Sequence, residues 1–258
     1  MDFTEIAFSN RPPTAFLTLD NPAKINALSR RMIAEISEVL RALARDENVK
    51  VLVIRAAGDH FCAGHDLGEM VGRDMRTYQR IFDDCSRMMR MLHDLPQVVI
   101  AQVQGIATAA GCQLAAWCDL VVAAENARFA TPGVEIGLFC ATPMVALTRA
   151  VGRKAAMEML MTGRYVPAEE ARALGLVNRV VPLARLADET RELAERISRA
   201  SALVIAMGKR AFYTQIDQPD DKALAHAAHT IALNNLAEDA QTGITAFLEK
   251  TTPHWRNR

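Results

Sequence analysis

The sequence predicts an α/β fold that ends in helices. Three observations carry this. Short apolar runs bounded by turn residues alternate with amphipathic stretches in the first half. A glycine- and alanine-rich segment, QGIATAAGCQLAAWC, leads from one strand into a tightly packed helix. From GRKAAMEMLMTG onward helical spacing takes over.

TAFLTLD (14–20) is short, apolar and bounded by Pro13 and the turn NPAK, which reads as a strand. Ser29 stands where an N-cap is wanted, ahead of Ile33, Ile36, Val39, Leu40 and Leu43 at helical spacing. VLVIRA (51–56) reads as a buried strand ending in the turn AGDH. VVIAQV (98–103) is another, after a helix from about Met75 to Leu95 that Pro96 stops, and DLVVAA (119–124) is a third. The helix that follows QGIAT begins near Ala109 or Ala110, where small residues permit close backbone approach. Further helices are GRKAAMEMLMTG (152–163), PAEEARALG with Glu169 and Glu170 in its first turn, Leu183 to about Ala200, and segments through Phe212, Leu233 and Leu248. The expected division is a core over 1–200 and a helical region over 201–258; no Gly/Ser/Pro-rich linker separates them, so the helices should pack on the core and on neighbouring subunits. MMRML (88–92) either fills irregular helix contacts or lines an apolar tunnel.

Composition excludes several function classes. Thirty basic and 30 acidic residues leave no general positive field for nucleic acid. Five cysteines with no CxxC pair fit a reduced compartment and argue against a disulfide framework or a structural zinc, so no metal is expected. MDFTEIAFSN lacks a basic start and an apolar run, and no apolar stretch approaches the ~18 residues that span a bilayer. A soluble, cytoplasmic protein without membrane insertion is the expectation.

Two segments stand apart from ordinary core sequence. In HFCAGHDLGEM (60–70) a strand end feeds a glycine turn and a polar-capped helix; in QGIATAAGCQL (104–114) a second strand feeds a small-residue turn and helix. Two inward-pointing backbone donors at such turns can share one thioester oxygen, and the amides opening the second helix favour negative charge developing on it.

AGHDL (63–67) resembles the first oxyanion-hole signature of the crotonase, or enoyl-CoA hydratase/isomerase, superfamily, and GIATAAGCQLAAWCD (105–119) resembles its second. The resemblance continues through FATPGVEIGLF (129–139), AVGRKAAMEMLMTG (150–163), ARALGLVNRVVP and EDAQTGITAFLEK (238–250), nearly the whole chain; the ITAFL tail is similar to that of one branch. The resemblance implies a crotonase-like spiral core of repeated ββα units, a C-terminal helical trimerisation region giving a homotrimer or dimer of trimers, and a bent acyl-CoA ligand. No cofactor would be tightly bound; coenzyme A would be the carrier portion of the ligand.

By motif position the oxyanion hole would use the amides of His65 and Ala110. The resemblance also places adenine and pantetheine near Ala23, Ile25, Ala63 and Leu67, and lets Phe247 and Lys250 touch CoA in the same or a neighbouring protomer. Lys24 is either a phosphate contact or an ordinary surface lysine. Family hydratases carry glutamates where this chain has Gln113 and Gly133, so hydration of a 2-enoyl thioester lacks its two usual carboxylates. Glu135, two residues on, either replaces the base or lies on the surface. Asp66 reads as a turn cap, and the side chain of His65 as a bystander to its own amide. Cys112 and Cys140 read as core, and His226 and His229 as solvated or hydrogen-bonded rather than ligating. The sequence thus points to an enoyl-CoA hydratase-like lyase, with a non-catalytic acyl-CoA-binding protein or an acyl-CoA decarboxylase or isomerase as alternatives.

Overall fold

A computed structural model of the chain describes residues 3–258. β1 (Ile6–Arg11) and β2 (Thr14–Leu19) pair antiparallel. β2 is the strand expected from TAFLTLD; β1 carries too little apolar alternation in IAFSNR to announce itself. α1 (Arg30–Leu43) begins at Ser29, whose side chain accepts from the Met32 N–H, and it buries Ile33, Ile36, Val39, Leu40 and Leu43. Full burial of each such side chain is worth about 1.5–3 kcal/mol.

Then follow β3 (Val51–Ala56), α2 (Met75–Asp94), β4 (Val98–Val103), β5 (Ile106–Thr108), α3 (Ala110–Trp117), β6 (Leu120–Ala124), β7 (Arg128–Ala130), α4 (Ala141–Ala150) and α5 (Arg153–Thr162). The remainder is β8 (Val166–Pro167), α6 (Ala168–Ala173), β9 (Arg179–Val181), α7 (Leu186–Ser198), α8 (Ala202–Gln215), α9 (Asp220–Leu236) and α10 (Glu238–Glu249). The second half is therefore not purely helical: β8 and β9 are too short to show a period, and sheet pairing alone defines them.

Six strands form the larger sheet in the order β1-β2-β3-β4-β6-β9, all parallel except β1. Its inner strands β3, β4 and β6 are buried on both faces, as continuous apolar runs require. Leu52, Ile54, Val99 and Ala101 join the core that includes α1 and α2, while Val51, Val53, Ile100 and Val122 pack against Leu186 and Ala194 of α7. A smaller sheet, β5-β7-β8, is extended by isolated bridges between Leu28 and His65 and between Cys62 and Ala107. Each strand from β2 to β6, other than β5, thus leads through a short crossing in the small layer to a helix, which is the repeated ββα spiral. Met88, Met89 and Leu92 are buried in the main core, so MMRML fills helix contacts and does not line a tunnel.

α8 is fastened to the body by a buried polar cluster. Lys209 Nζ lies 2.7 Å from Asp119 Oδ2 and donates to the carbonyls of Leu92 (2.7 Å) and Gln97 (2.8 Å). Asp119 also accepts from the Tyr213 hydroxyl (2.7 Å) and the Val99 N–H (2.7 Å). The ring of His93 lies between those of Tyr213 (3.7 Å) and Trp117 (4.8 Å). Among the described residues no helix is long and apolar enough to cross a membrane.

Lys209→Met strands the Asp119 charge in the interior and should cost about 3–5 kcal/mol, read from the denaturant midpoint. A second expectation concerns acid. Burial lowers His93 from 6.5 to about 4, with Asp119 opposing and Lys209 reinforcing the shift. The unfolded chain takes up this proton below about pH 6.5, the folded chain only near pH 4. The contribution to stability is therefore complete above pH 6.5 and is lost as pH falls toward 4. Melting temperature should drop between pH 7 and pH 5, and His93→Phe, which keeps the stack, should flatten the drop; an unchanged slope would count against this assignment.

Candidate functional site

The two turns picked out in the sequence meet at one wall of a cavity of about 860 Å³. After Cys62 the chain bends at Gly64, whose φ of +97° is a conformation that L side chains rarely adopt. A Cβ on Gly64 would sit 2.9 Å from Ala109 Cβ and 3.2 Å from the amide nitrogen of Ala110. The Gly64–His65 turn therefore rests directly on the opening of α3. Backbone hydrogen bonds hold it there: Leu28 N–H to Gly64 O (2.7 Å), Thr108 N–H to Cys62 O (2.9 Å) and Ala109 N–H to Ala130 O (2.9 Å).

Ala109 precedes α3 at φ 49°, ψ −119°, with no side-chain cap on the helix. An alanine in such a conformation carries strain of about 1–3 kcal/mol, held by the surrounding structure. The first amides of a helix lack intrahelical acceptors. Among the described residues neither the Ala110 N–H nor the His65 N–H donates to another protein group, and both residues line the cavity. Two free amides in adjoining turns, beside a helix N-terminus, make a site for a partially negative oxygen.

The ring nitrogens of His65 are buried. Its ring meets Phe82 edge-on at 5.4 Å, neither ring nitrogen makes a hydrogen bond, and burial lowers the imidazole to about 4, the Leu28 carbonyl only partly opposing. It is a neutral wall group at neutral pH. Asp66 is the cap expected, accepting from the Gly68 N–H at 3.0 Å, but what it caps is a single 3-10 turn, Leu67–Glu69, and not the α-helix that the segment suggests. Asp66 also holds Lys24 Nζ at 2.6 Å; that hydrogen bond and charge raise the lysine and lower the carboxylate.

Besides these, the structure brings Ala63, Leu67, Gly133 and Glu135 to the cavity. It does not bring Ala23, Ile25, Gln113, Phe247 or Lys250 there. Ile25 takes part through its main chain, its carbonyl accepting from the Ala63 N–H at 3.0 Å. Gln113 is buried one turn into α3, and its Oε1 has no hydrogen-bond partner. Phe247, on α10, is 83% exposed and Lys250 ends that helix, so within one chain neither reaches the cavity. Phe82, Met70, Phe139 and Tyr165 line the cavity without having been singled out in the sequence. Phe82 and Met70 read as ordinary apolar positions in or beside α2, and nothing local marks Tyr165. All five cysteines are free and buried; Cys140, which lines the cavity, has its thiol pushed up by burial.

Position 133 departs most from the expectation of a merely missing side chain. A Cβ there would lie 1.9 Å from the Leu138 carbonyl oxygen and 2.9 Å from Cys140 Sγ. The loop folds back on itself, with the Leu138 N–H donating to Gly133 O at 2.8 Å, so main chain occupies the space that a side chain would need. Restoring a carboxylate by Gly133→Glu is sterically closed. Even Gly133→Ala should cost about 1–3 kcal/mol or more by overpacking, measured by chemical denaturation; parent-like stability would show that the loop yields.

Comparison with known proteins agrees with this fold. The family model described as enoyl-CoA hydratase/isomerase matches residues 13–258. The chain is similar to the zebrafish (Danio rerio) protein named enoyl-CoA hydratase domain-containing protein 3, mitochondrial, with 46% identity over 93% of this chain and 84% of that protein. That is the branch whose tail the ITAFL segment resembles; its name does not support the cytoplasmic expectation. A crystal structure of a Mycobacterium smegmatis enoyl-CoA hydratase superposes with TM-score 0.96 at 46% identity, covering 98% of this chain and 99% of that one. The human domain-containing protein 3 structure superposes with TM-score 0.95 at 42% identity, covering 98% and 100%. With this sequence match across nearly its full length and the same crotonase fold, the chain belongs to the enoyl-CoA hydratase/isomerase family.

Proposed function

We propose that the chain acts on acyl-CoA thioesters, with the amides of His65 and Ala110 sharing the thioester oxygen and stabilising the enolate-like charge that develops on it. The observation that carries this reading is the seating of Gly64 against the Ala110 amide, which leaves two unpaired N–H groups side by side in a cavity wall. The apolar wall built by Leu67, Met70, Phe82 and Phe139 suits an acyl chain and the pantetheine arm. Ala63 and Leu67 lie where that arm would pass. Coenzyme A enters as part of the ligand and not as a resident cofactor.

Water addition to a 2-enoyl-CoA, the reaction named by the family, is the nominal lyase activity. Its two usual carboxylates are absent, and the one position is filled by the Leu138 carbonyl. That same carbonyl favours a second reading, in which the chain binds acyl-CoA without turning it over. For assembly we propose a trimer, or a dimer of trimers, through the C-terminal helices. Leu224, Leu236 and Phe247 there are 70%, 81% and 83% exposed in the single chain, apolar surface that an assembly would cover. In such an assembly Phe247 and Lys250 would serve a neighbouring protomer's CoA.

Calorimetry should show hexanoyl-CoA binding at least about tenfold tighter than free CoA, the worth of one or two hydrogen bonds and a buried chain. Gly64→Ala, whose Cβ intrudes on the Ala110 amide, should erase most of that preference. Gly72→Ala is the control, since Gly72 also has positive φ (+68°) but nothing within 4 Å. Equal affinity for CoA and hexanoyl-CoA in the parent would overturn the reading.

A further inference from the structure

We infer that Trp117, His93 and Tyr213 are positioning residues for the oxyanion site: their stacked rings hold α3 at the setting that brings the Ala110 amide beside that of His65. The inference rests on the acyl-CoA reading above. It begins with how α3 is seated. The helix is eight residues long, with Ala110 at its first position and Trp117 at its last. At a rise of about 1.5 Å per residue, the free amide and the tryptophan are about 10 Å apart. The sequence AGCQLAAW gives the helix one bulky aromatic, Trp117. At the other end main chain rests on main chain. A Cβ on Gly64 would lie 3.2 Å from the Ala110 nitrogen, and one on Gly111 would lie 2.2 Å from the Cys62 carbonyl oxygen. Such contacts permit close approach but supply no side-chain ridges to stop a helix from sliding.

The restraint lies at the tryptophan end. Trp117 closes α3, His93 stands in the last turn of α2, and Tyr213 stands near the end of α8. The His93 ring is nearly parallel to both of the others, 4.8 Å and 9° from Trp117 and 3.7 Å and 15° from Tyr213. Stacked rings keep defined separations, which fixes α3 along the ring normal. A second grip follows two residues on. Asp119 accepts from the Tyr213 hydroxyl and pairs with Lys209, one turn earlier on α8. Both α2 and α3 also reach the cavity, where Phe82 and Ala110 line the wall. The stack is therefore where the acyl wall, the oxyanion amide and the helical arm that begins with α8 are set against one another.

Core packing alone does not call for this arrangement. All three rings are half-buried, Trp117 at the margin of the main core. His93 and Tyr213 border a surface crevice of about 340 Å³ together with Asp94 and Arg210. What the stack has in place of deep burial is orientation. Because it borders an open crevice, trimming the His93 ring leaves space that solvent can enter and not a sealed apolar void. The loss then falls on the setting of α3, and through it on the Ala110 amide, more than on the fold.

The experiment measures the affinity of the full-length protein for hexanoyl-CoA and for free CoA by calorimetry. A second readout is Trp117 emission in a Trp255→Phe background, which leaves Trp117 as the one tryptophan. His93→Ala should reduce the preference for hexanoyl-CoA about fivefold or more, within the roughly 2- to 30-fold range of such coupling, with free CoA affinity within about twofold of the parent. His93→Phe, which keeps the stack, should restore the preference. Leu186→Ala, which loosens the packing of α7 on Val51 and Val53, should leave it unchanged. Hexanoyl-CoA should shift Trp117 emission, and free CoA should not. A folded His93→Ala that keeps the parental preference overturns the inference. So does loss of the preference in Leu186→Ala, or a His93→Phe as impaired as His93→Ala. Should His93→Ala not fold, emission carries the test: a shift with hexanoyl-CoA alone supports the inference, and emission unmoved by hexanoyl-CoA overturns it. A parent that fails to prefer hexanoyl-CoA over CoA instead overturns the acyl-CoA reading beneath it.

Discussion

Contact between bare main-chain segments organises this molecule. At Gly64 the first turn touches the amide of Ala110, and at Gly111 an added Cβ would come within 2.2 Å of the Cys62 carbonyl oxygen. Two adjacent approaches of this kind bring α3 onto the strand end after β3 closer than any side chain would allow. The same closeness explains why α3 is short, rich in small residues and without a capping side chain. The first amide, that of Ala110, is left without a protein partner at the cavity wall. Fold and site are therefore one arrangement: the small residues that permit the packing also leave the donors free.

Much of this was legible in the sequence, and the reasons for the remainder are physical. The parallel strands β3, β4 and β6 declared themselves as continuous apolar runs because both faces of the large sheet are covered. Ser29 and the spacing behind it gave α1 nearly to the residue. The small layer did not show, since three-residue strands and the isolated Leu28–His65 and Cys62–Ala107 bridges carry no period. The ββα repeat is likewise one of path and not of composition. At the site, the glycine and alanine turns could be recognised because backbone geometry restricts which residues stand there. The cavity position of Glu135, the exclusion of Gln113 and the wall residues Phe82 and Tyr165 depend on how distant segments meet, which no local pattern records.

The C-terminal helices obey a different logic. Of α8 only Lys209 is buried, and α9 buries nothing. One charged cluster around Asp119 and a hydrogen-bonded end hold them. At that end Asp239 accepts from the Ser201 hydroxyl (2.5 Å) and from the Arg256 (2.7 Å) and Asn257 (2.9 Å) amides. A buried ion pair contributes little net stability compared with apolar packing, yet its directionality fixes where α8 must sit. Such a helical arm is positioned by polar groups and carries apolar side chains such as Leu236 and Phe247 on its outside.

The Leu138 carbonyl at position 133 has a consequence for how this chain could change over time. In a site where a functional group is merely deleted, one codon restores it, and selection can act on the first revertant. Here the vacancy has been taken over by main chain, so a revertant meets a folding penalty before any catalytic gain. The way back runs through insertions or rearrangements of the whole 132–138 loop, a concerted event that stepwise point substitution does not reach. A side chain at position 133 therefore requires the loop from 132 to 138 to take another path.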